Sequence, residues 1–379
     1  MQITAVKPFI VGQERNFFFV QIETDAGFKG IGEGGITWRE AATAAFTNDF
    51  ADLLIGQDPF RIEHLWQVMF RSGFFPAGRV GCAAISAIDI ALWDIKAQAL
   101  GVPLYQLIGG LCRDRVVCYP HVRGQTREEL VAHAKSKVAE GWKFVRFDPR
   151  PESDGVTFEP AAAVRRALGD FGAVREAVGD EIEIIIDLHT RFDPADAIRF
   201  CRDVEQYRPY FIEDPIRMEN FQTFRKLARH VHVPLAAGEQ YASKWEFRQQ
   251  IEEELLDYAR IDLCIAGGIT ESLKIAHWCE AHSIMIAPHN PLGPVSTAAG
   301  LHLDLACGNF GVQELARMPG QVLPDLFPVQ VEFSNGHLQA PTRPGLGIVF
   351  DESAVSKYPP VGKGGCPLWT RSDGSFTNW

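Results

Sequence analysis

EIIIDLHT (183–190), YFIEDP (210–215) and PLAAGEQ (234–240) each place an acidic residue at or just beyond the end of an apolar run. The acids, Asp187, Glu213 and Glu239, fall 26 residues apart, and a stretch of helical composition follows each run. An interval of that length, holding a strand and then a helix, is the repeat of a parallel β/α barrel. Side chains at the carboxyl ends of its strands gather on one rim, so three consecutive strands deliver three carboxylates to one mouth. Left alone they repel, and a hard divalent cation resolves the conflict. A single acid after a strand is commonly a cap of the next helix, but three in register point to a cation site. All-oxygen ligation without a thiolate favours Mg2+ over Zn2+. Asp262, His289 and Glu314 continue the series at intervals of 23, 27 and 25 residues.

Outward from these runs, the alternation begins with VVCYPHV (116–122) and FVRFD (144–148), and it ends with YARID (258–262), IMIAP (284–288) and FGVQE (310–314). A polar loop, PRPESDGVTFEP (149–160), breaks the rhythm; a rim loop of that length is either functional or a plain insertion. Residues 1–115 do not follow the period. ITAVKPFIVG (3–12), FFFVQIETDAG (17–27) and GIGEGG (30–35) read as an antiparallel meander, and helical patterns cover 39–56, 60–74 and 83–101, the last with Gly101 as its C-cap. The tail carries an Asn-Gly hairpin signal at 335–336. The expected organisation is an α+β domain over 1–115, a barrel over 116–322, and a segment over 323–379 that packs back on the first domain.

The chain of 379 residues is long enough for a barrel of about 250 residues and a second domain. Apolar residues make up 46% and charged residues 22%, as in ordinary globular proteins, and the formal charge is −11. That charge argues against nucleic acid or an anionic membrane as partner. It leaves room for an anionic small substrate, because a bound cation reverses the local field. The cysteines (82, 112, 118, 201, 264, 279, 307 and 366) form no C-x-x-C pair and read as reduced thiols of a cytoplasmic protein. The opening MQITAVKPFIVGQ lacks a basic stretch before an apolar one, so no signal peptide is expected, and no run reaches the length of a membrane span.

His189 stands two residues beyond Asp187, so strand alternation would bring both side chains to one side. His289 ends the strand next to the one bearing Asp262. A carboxylate accepting a hydrogen bond from imidazole fixes its tautomer and raises its basicity, which makes Asp262–His289 a candidate general-base dyad. The competing reading is a helix-capping aspartate beside a structural histidine. His121 also ends a strand and is a weaker candidate, while His133, His230, His232, His277, His282 and His302 fall on helices or polar loops and receive no role. Gly267 and Gly268 allow a tight turn into the following helix.

With these residues in place, the constellation resembles the enolase superfamily in its mandelate racemase-like branch. The resemblance rests on IDLH (186–189), FIEDP (211–215), AAGE (236–239), IDLCIAGGIT (261–270) and APHNPLGP (287–294). It implies a modified (β/α)7β barrel with an N-terminal α+β capping domain completed by the C-terminal segment. IGQDP (55–59), LWQVMFRSGF (65–74), ALWDIK (91–96) and PLYQLIGGL (103–111) look like galactonate dehydratases; EEELLDYAR (252–260), NFGVQE (309–314), PGLGIVFDE (344–352) and the final FTNW look like mannonate dehydratases. The branch's racemases carry Lys-x-Lys where this chain has Arg146-Phe147-Asp148, and no tyrosine lies between 149 and 160 to match the acid/base residue of mannonate dehydratases. The implied activity is Mg2+-dependent dehydration of a sugar acid, galactonate first, to a 2-keto-3-deoxy acid through a metal-stabilised enediolate. Mannonate or a related aldonate, a racemase or epimerase, and a silent metal-binding homologue are the alternatives. In this scheme Asp187, Glu213 and Glu239 hold the metal, and His289 with Asp262 removes the C2 proton. His189 protonates the departing hydroxyl, Glu314 and Arg146 contact the substrate, and the protein is expected to be a homo-oligomer.

Overall fold

The computed structural model describes residues 1–362 and 368–378; Cys366 and the final tryptophan of FTNW lie outside them. An antiparallel meander opens the chain, β1 (Ile3–Gly12), β2 (Asn16–Thr24) and β3 (Lys29–Gly34), with β2 in the centre. Three helices follow, α1 (Glu40–Leu54), α2 (Ile62–Arg71) and α3 (Gly78–Leu100). Helix α3 begins ahead of the Ala-rich pattern and ends at Gly101, whose φ of 72° is the left-handed conformation a helix stop favours.

Helix α3 lies directly on β3 because neither surface carries bulk there. Gly30 and Gly32 alternate onto one face of the strand, and Ala87 and Ala91 stand four apart on the helix. A Cβ placed on Gly32 would sit 1.7 Å from the carbonyl oxygen of Ala87, and one on Gly30 would sit 2.1 Å from that of Ala91. The core of this unit gathers around that contact, with Phe18, Val20, Leu65, Trp66, Ile88 and Leu92 all buried.

Strands and helices then alternate: β4 (Arg115–Tyr119), α4 (Arg127–Ala139), β5 (Phe144–Phe147), α5 (Pro160–Val178), β6 (Glu183–Asp187), α6 (Pro194–Val204), β7 (Phe211–Glu213), α7 (Phe221–Ala228), β8 (Leu235–Ala237), α8 (Lys244–Glu252), β9 (Tyr258–Ala259), α9 (Gly268–Ala281), β10 (Met285–Ile286), α10 (Pro294–Ala306) and β11 (Gln313–Glu314). Strands β5 to β10 form a six-stranded sheet in chain order, all of it parallel. β11 pairs in parallel with β4. Parallel bridges His121–Arg146 and Ile286–Phe310 join that pair to the two edges of the sheet. Tyr119, Ile185, Phe211, Ala236, Ala287 and Val312 form a buried cluster of their own between the strands.

The hairpin β12 (Phe333–Ser334) and β13 (His337–Gln339) turns through Asn335 and Gly336, both at positive φ as the Asn-Gly pair requires. β13 adds to β4 rather than to the N-terminal meander. The residues after it do reach the meander, through Phe9 against Phe350 and Gly12 N–H donating to the carbonyl of Tyr358. No helix among the described residues is long and apolar enough to cross a membrane.

The N-terminal unit is fastened to the helix starts at the carboxyl ends of the parallel strands. Ser86 Oγ accepts from the N–H groups of Gly267 (2.9 Å) and Gly268 (3.1 Å), and Asp89 from that of Thr270 (3.0 Å). Glu33 accepts from Gly293 N–H (2.7 Å) and Ser296 N–H (2.8 Å) at the start of α10. Gly267 and Gly268 both have positive φ, and a Cβ on Gly268 would sit 2.3 Å from Asp89 Oδ2. The glycine pair therefore serves this docking as well as the turn.

Two outcomes follow. Gly32→Val forces the helix off the strand and should cost about 3 kcal/mol, lowering the thermal midpoint measured by circular dichroism. Burial pushes Asp89 up to about 7 despite its bonds to Thr270. Its contribution to stability is therefore full below the unfolded carboxylate pKa of about 4 and is lost as pH rises through 7. Asp89→Asn should remove that loss, so urea titrations at pH 5 and 8 should show the variant gaining on wild type at the higher pH.

Candidate active site

The mouth at the strand ends collects the residues that the spacing singled out. Asp187 closes β6 and Glu213 closes β7, paired in register; both are fully buried. Glu239 lies two residues past β8, beyond Gly238 at φ 130°. Ligand-capable oxygens of Asp187, Glu213 and Glu239 all lie within 4.8 Å of one another. Glu213 Oε2 is buried without a hydrogen-bond partner, as are both oxygens of the neighbouring Asp214. A buried donor set of this kind, oxygen-only and under-satisfied, suits a hard divalent cation.

His289 Nδ1 stands 2.8 Å from Asp262 Oδ2, and its Nε2 stands 3.2 Å from Glu239 Oε2. Asp262 Oδ1 accepts from Cys264 N–H (2.7 Å), which fixes the carboxylate. Burial opposes charge on His289, but Glu239, Glu314 and Asp262 outweigh it and lift the imidazole to about 9. His189 occupies the other side of the cluster, Nε2 2.8 Å from Asp187 Oδ2 and Nδ1 3.4 Å from Asp148 Oδ1. Burial again works against the charged ring, and Asp187 and Asp148 overcome it, raising His189 to about 9. The geometry that brings His189 back is not strand alternation. β6 ends at Asp187, and His189 and Thr190 have φ of 45° and 56°, a left-handed turn that folds the imidazole over the carboxylate.

Two arginines are wedged among the acids. Arg146, in β5, pairs with both Asp187 and Asp148. Arg260, just past β9 and fully buried, pairs with Glu213 and bonds Glu314 Oε2 at 2.5 Å. Glu314 also takes His121 Nε2 at 2.7 Å and Asn290 N–H at 2.9 Å. His121 thus belongs to the site. Burial and the charge of Arg146 lower it to about 4, so it meets Glu314 as a neutral ring.

A cavity of about 390 Å3 opens over these groups, lined by His121, Arg146, Asp148, His189, His289 and Glu314 at its base. Glu14 and Arg15 from the β1–β2 turn, together with Arg123, His133 and Arg317, line it elsewhere. His133, given no role by the sequence, is thus a wall residue, and its Nδ1 accepts from Arg123 N–H at 3.0 Å. Arg260, Asp148 and Asp214 were also missed. Arg260 stands two positions before Asp262, so strand alternation from Asp262 is the signal that would have found it.

Residues 5–109 match the mandelate racemase / muconate lactonizing enzyme N-terminal domain, and residues 129–354 match the enolase C-terminal domain-like family. The chain belongs to the enolase superfamily. Among curated members of that superfamily, it is 36% identical to a D-mannonate dehydratase of Caulobacter sp. (strain K31) over 100% of both chains. It is 38% identical to a D-galactonate dehydratase of Ralstonia pickettii (strain 12J) over 96% of each. An enolase from Pantoea ananatis with bound D-gluconate and Mg superposes with a TM-score of 0.93 at 31% identity, over 100% of this chain and 99% of that one. An enolase from Agrobacterium radiobacter with bound Na and L-malate does so with a TM-score of 0.93 at 30% identity, over 100% of both.

If the carboxylate cluster holds a divalent cation, Glu213→Gln should weaken Mg2+ or Mn2+ binding by more than about ten-fold, read by calorimetry. The circular dichroism spectrum should stay unchanged. Equal binding by wild type and variant would exclude Glu213 as a ligand.

Proposed function

We propose that the protein dehydrates a sugar acid to a 2-keto-3-deoxy acid, with Mg2+ held by Asp187, Glu213 and Glu239, on a modified (β/α)7β barrel capped by residues 1–115 and completed by 323–379. The observation that carries this reading is the placement of the two imidazoles. His289 touches the Glu239 side of the cluster and His189 touches the Asp187 side. A β-elimination needs such a pair, one group to take the C2 proton and another to give a proton to the departing 3-hydroxyl. Similarity to D-mannonate and D-galactonate dehydratases, and to an enolase holding D-gluconate and Mg, supports the same reaction class.

Mg2+ bound at the cluster would neutralise the negative charge that gathers on the substrate carboxylate as its α-proton leaves. The remaining work falls to the chain. Asp262 holds His289 by Nδ1, leaving Nε2 to take the C2 proton. Glu239, the carboxylate that lifts His289 most, is also a cation ligand. With Glu239 holding a cation, His289 would more readily reach the neutral form that a base requires. His189, whose proton Asp148 still favours when Asp187 holds a cation, donates to the leaving hydroxyl. Arg146 donates toward substrate oxygens and, as a guanidinium, serves neither as acid nor as base. That favours one-base elimination over two-base racemisation. Glu314, held by Arg260, Asn290 and His121, stays ionised and accepts from a substrate hydroxyl.

The first substrates to test are D-galactonate and then D-mannonate, with keto-acid formation detected by semicarbazide in the presence of Mg2+. His289→Asn should lose both dehydration and deuterium exchange at C2. His189→Asn should retain exchange while failing to dehydrate. The opposite pattern would reverse the two roles, and exchange at C2 without any keto acid would favour an epimerase.

A further inference from the structure

The cations of the cavity fall into two groups. Arg146 and Arg260 are spent on carboxylates at the strand ends. Arg15 and Arg317 line the same cavity or its wall, yet among the described residues neither forms an ion pair. Arg15 comes from the β1–β2 turn of the N-terminal unit, and Arg317 follows β11 by three residues. Both guanidiniums stand 5.8 Å from the centroid of the Phe17 ring, which draws them toward one another. Arg15 is held by Thr37 Oγ1 and Arg317 by the carbonyl of Pro291, one bond each. Arg15 Nε is buried and has no hydrogen-bond partner. The exposed Arg123 adds a third positive charge on the same wall.

Half-burying two like charges around one ring is unfavourable unless something answers them. The strain registers in their titration: burial and then the charge of Arg317 push Arg15 down to about 10, and burial lowers Arg317, with Glu14 opposing and Arg123 adding to it. Among the described residues neither arginine has an ion-pair partner, and the more distant charges of Glu33 on Arg15 and of Glu14 on Arg317 offset only part of the cost. A ligand in the cavity can answer them. The catalytic end already has its own anion partner in the proposed cation site, so the arginine pair addresses a different part of the molecule.

We propose that Arg15 and Arg317 form a subsite for a second anionic group, carboxylate or phosphate, at the end of the sugar acid remote from the reacting carboxylate. The preferred substrate is then a dianion, with an aldarate in place of the corresponding aldonate as the first form and a terminally phosphorylated aldonate as the second. This rests on the dehydratase reading above and narrows its substrate. Guanidinium forks match either anion bidentately, whereas the primary alcohol of an aldonate leaves two charges unanswered.

The test is a matched panel on the Mg2+-loaded protein: D-galactonate with D-galactarate, D-gluconate with D-glucarate, and 6-phospho-D-gluconate. In wild type the dianion of a pair should exceed the monoanion in kcat/KM by about ten-fold or more; whether the diacids or the phosphate lead identifies the anion. Arg15→Gln and Arg317→Gln should raise KM for the dianion roughly 10- to 100-fold, with the smaller change in kcat, and should drive the dianion-to-monoanion selectivity toward one. Arg15→Lys, which keeps the charge and loses the fork, should retain intermediate selectivity and covers the case in which the glutamine variants fail to fold. Equal use of monoanion and dianion by wild type, or an equal loss toward both in the variants, overturns the proposal. Calorimetry with the same panel separates it from the dehydratase reading. If no sugar acid is turned over but dianions bind more tightly and Arg15→Gln abolishes the difference, the subsite stands and the reaction assignment falls. Equal binding of both anion classes refutes the subsite.

Discussion

Crowding of like charge at the strand ends is the constraint on which the rest of the mouth depends. The charges of Asp187, Glu239 and Glu314 bear on buried Glu213, and those of Glu239, Asp187 and Glu213 on buried Asp214. Two unit charges 4 Å apart interact by about 4 kcal/mol even at an effective dielectric near 20. Arg146 and Arg260 answer part of this, each bridging two carboxylates. The rest shows as displaced titration. Burial, with Asp187, Glu239 and Glu314 adding to it against Arg260, pushes Glu213 up to about 8, and burial with Glu239, Asp187 and Glu213 drives Asp214 well above the usual carboxylate range. Carboxyls raised in this way would give up their protons to the proposed cation, which is how metal binding couples to pH at deprotonated ligands.

The repeat interval made the catalytic scaffold legible because it is a property of the chain. A strand, a helix and two short loops need a fixed length, so the acid positions mark the strand ends even where a strand has shrunk to the two residues of β9 or β10. What the interval cannot encode is the path after the strand stops. His189 returns to Asp187 through two left-handed residues that carry no glycine, so its sequence gives no hint of the turn. Arg260 was hidden for another reason: an arginine at a strand end reads as a solvated group, and its burial becomes evident only when Glu213 and Glu314 arrive from distant strands. Arg15 and Arg317 are hidden by topology, since their neighbourhood depends on how the N-terminal unit sits over the mouth.

That placement is fixed by polar docking as much as by apolar contact. Ser86 and Asp89 occupy the start of α9, and Glu33 the start of α10. Helix starts present unpaired N–H groups and a positive dipole end, so oxygen acceptors from another unit are natural partners. The glycines 30, 32, 267 and 268 remove the side chains that would hold the surfaces apart. The cavity-lining residues of the β1–β2 turn, Glu14 and Arg15, are thereby positioned by contacts outside the cavity.

The hydrogen bonds of Asp262 decide which nitrogen of His289 is left to serve as the base in the proposed reaction. Oδ1 is taken by the N–H of Cys264, and Oδ2 faces His289 Nδ1 at 2.8 Å. A carboxylate can only accept in this pair, so Nδ1 carries the proton and Nε2 is the free valence of the neutral ring. Nε2 in turn faces Glu239 Oε2 at 3.2 Å. A lone pair against an unneutralised carboxylate is repulsive, so Nε2 keeps a second proton, in keeping with a ring lifted to about 9. If Glu239 holds a cation as proposed, the reason for that proton weakens and Nε2 would be left as an acceptor. On the proposed reading the same carboxylate would link the cation site to the availability of the base, because Glu239 stands within reach of both the carboxylate cluster and His289.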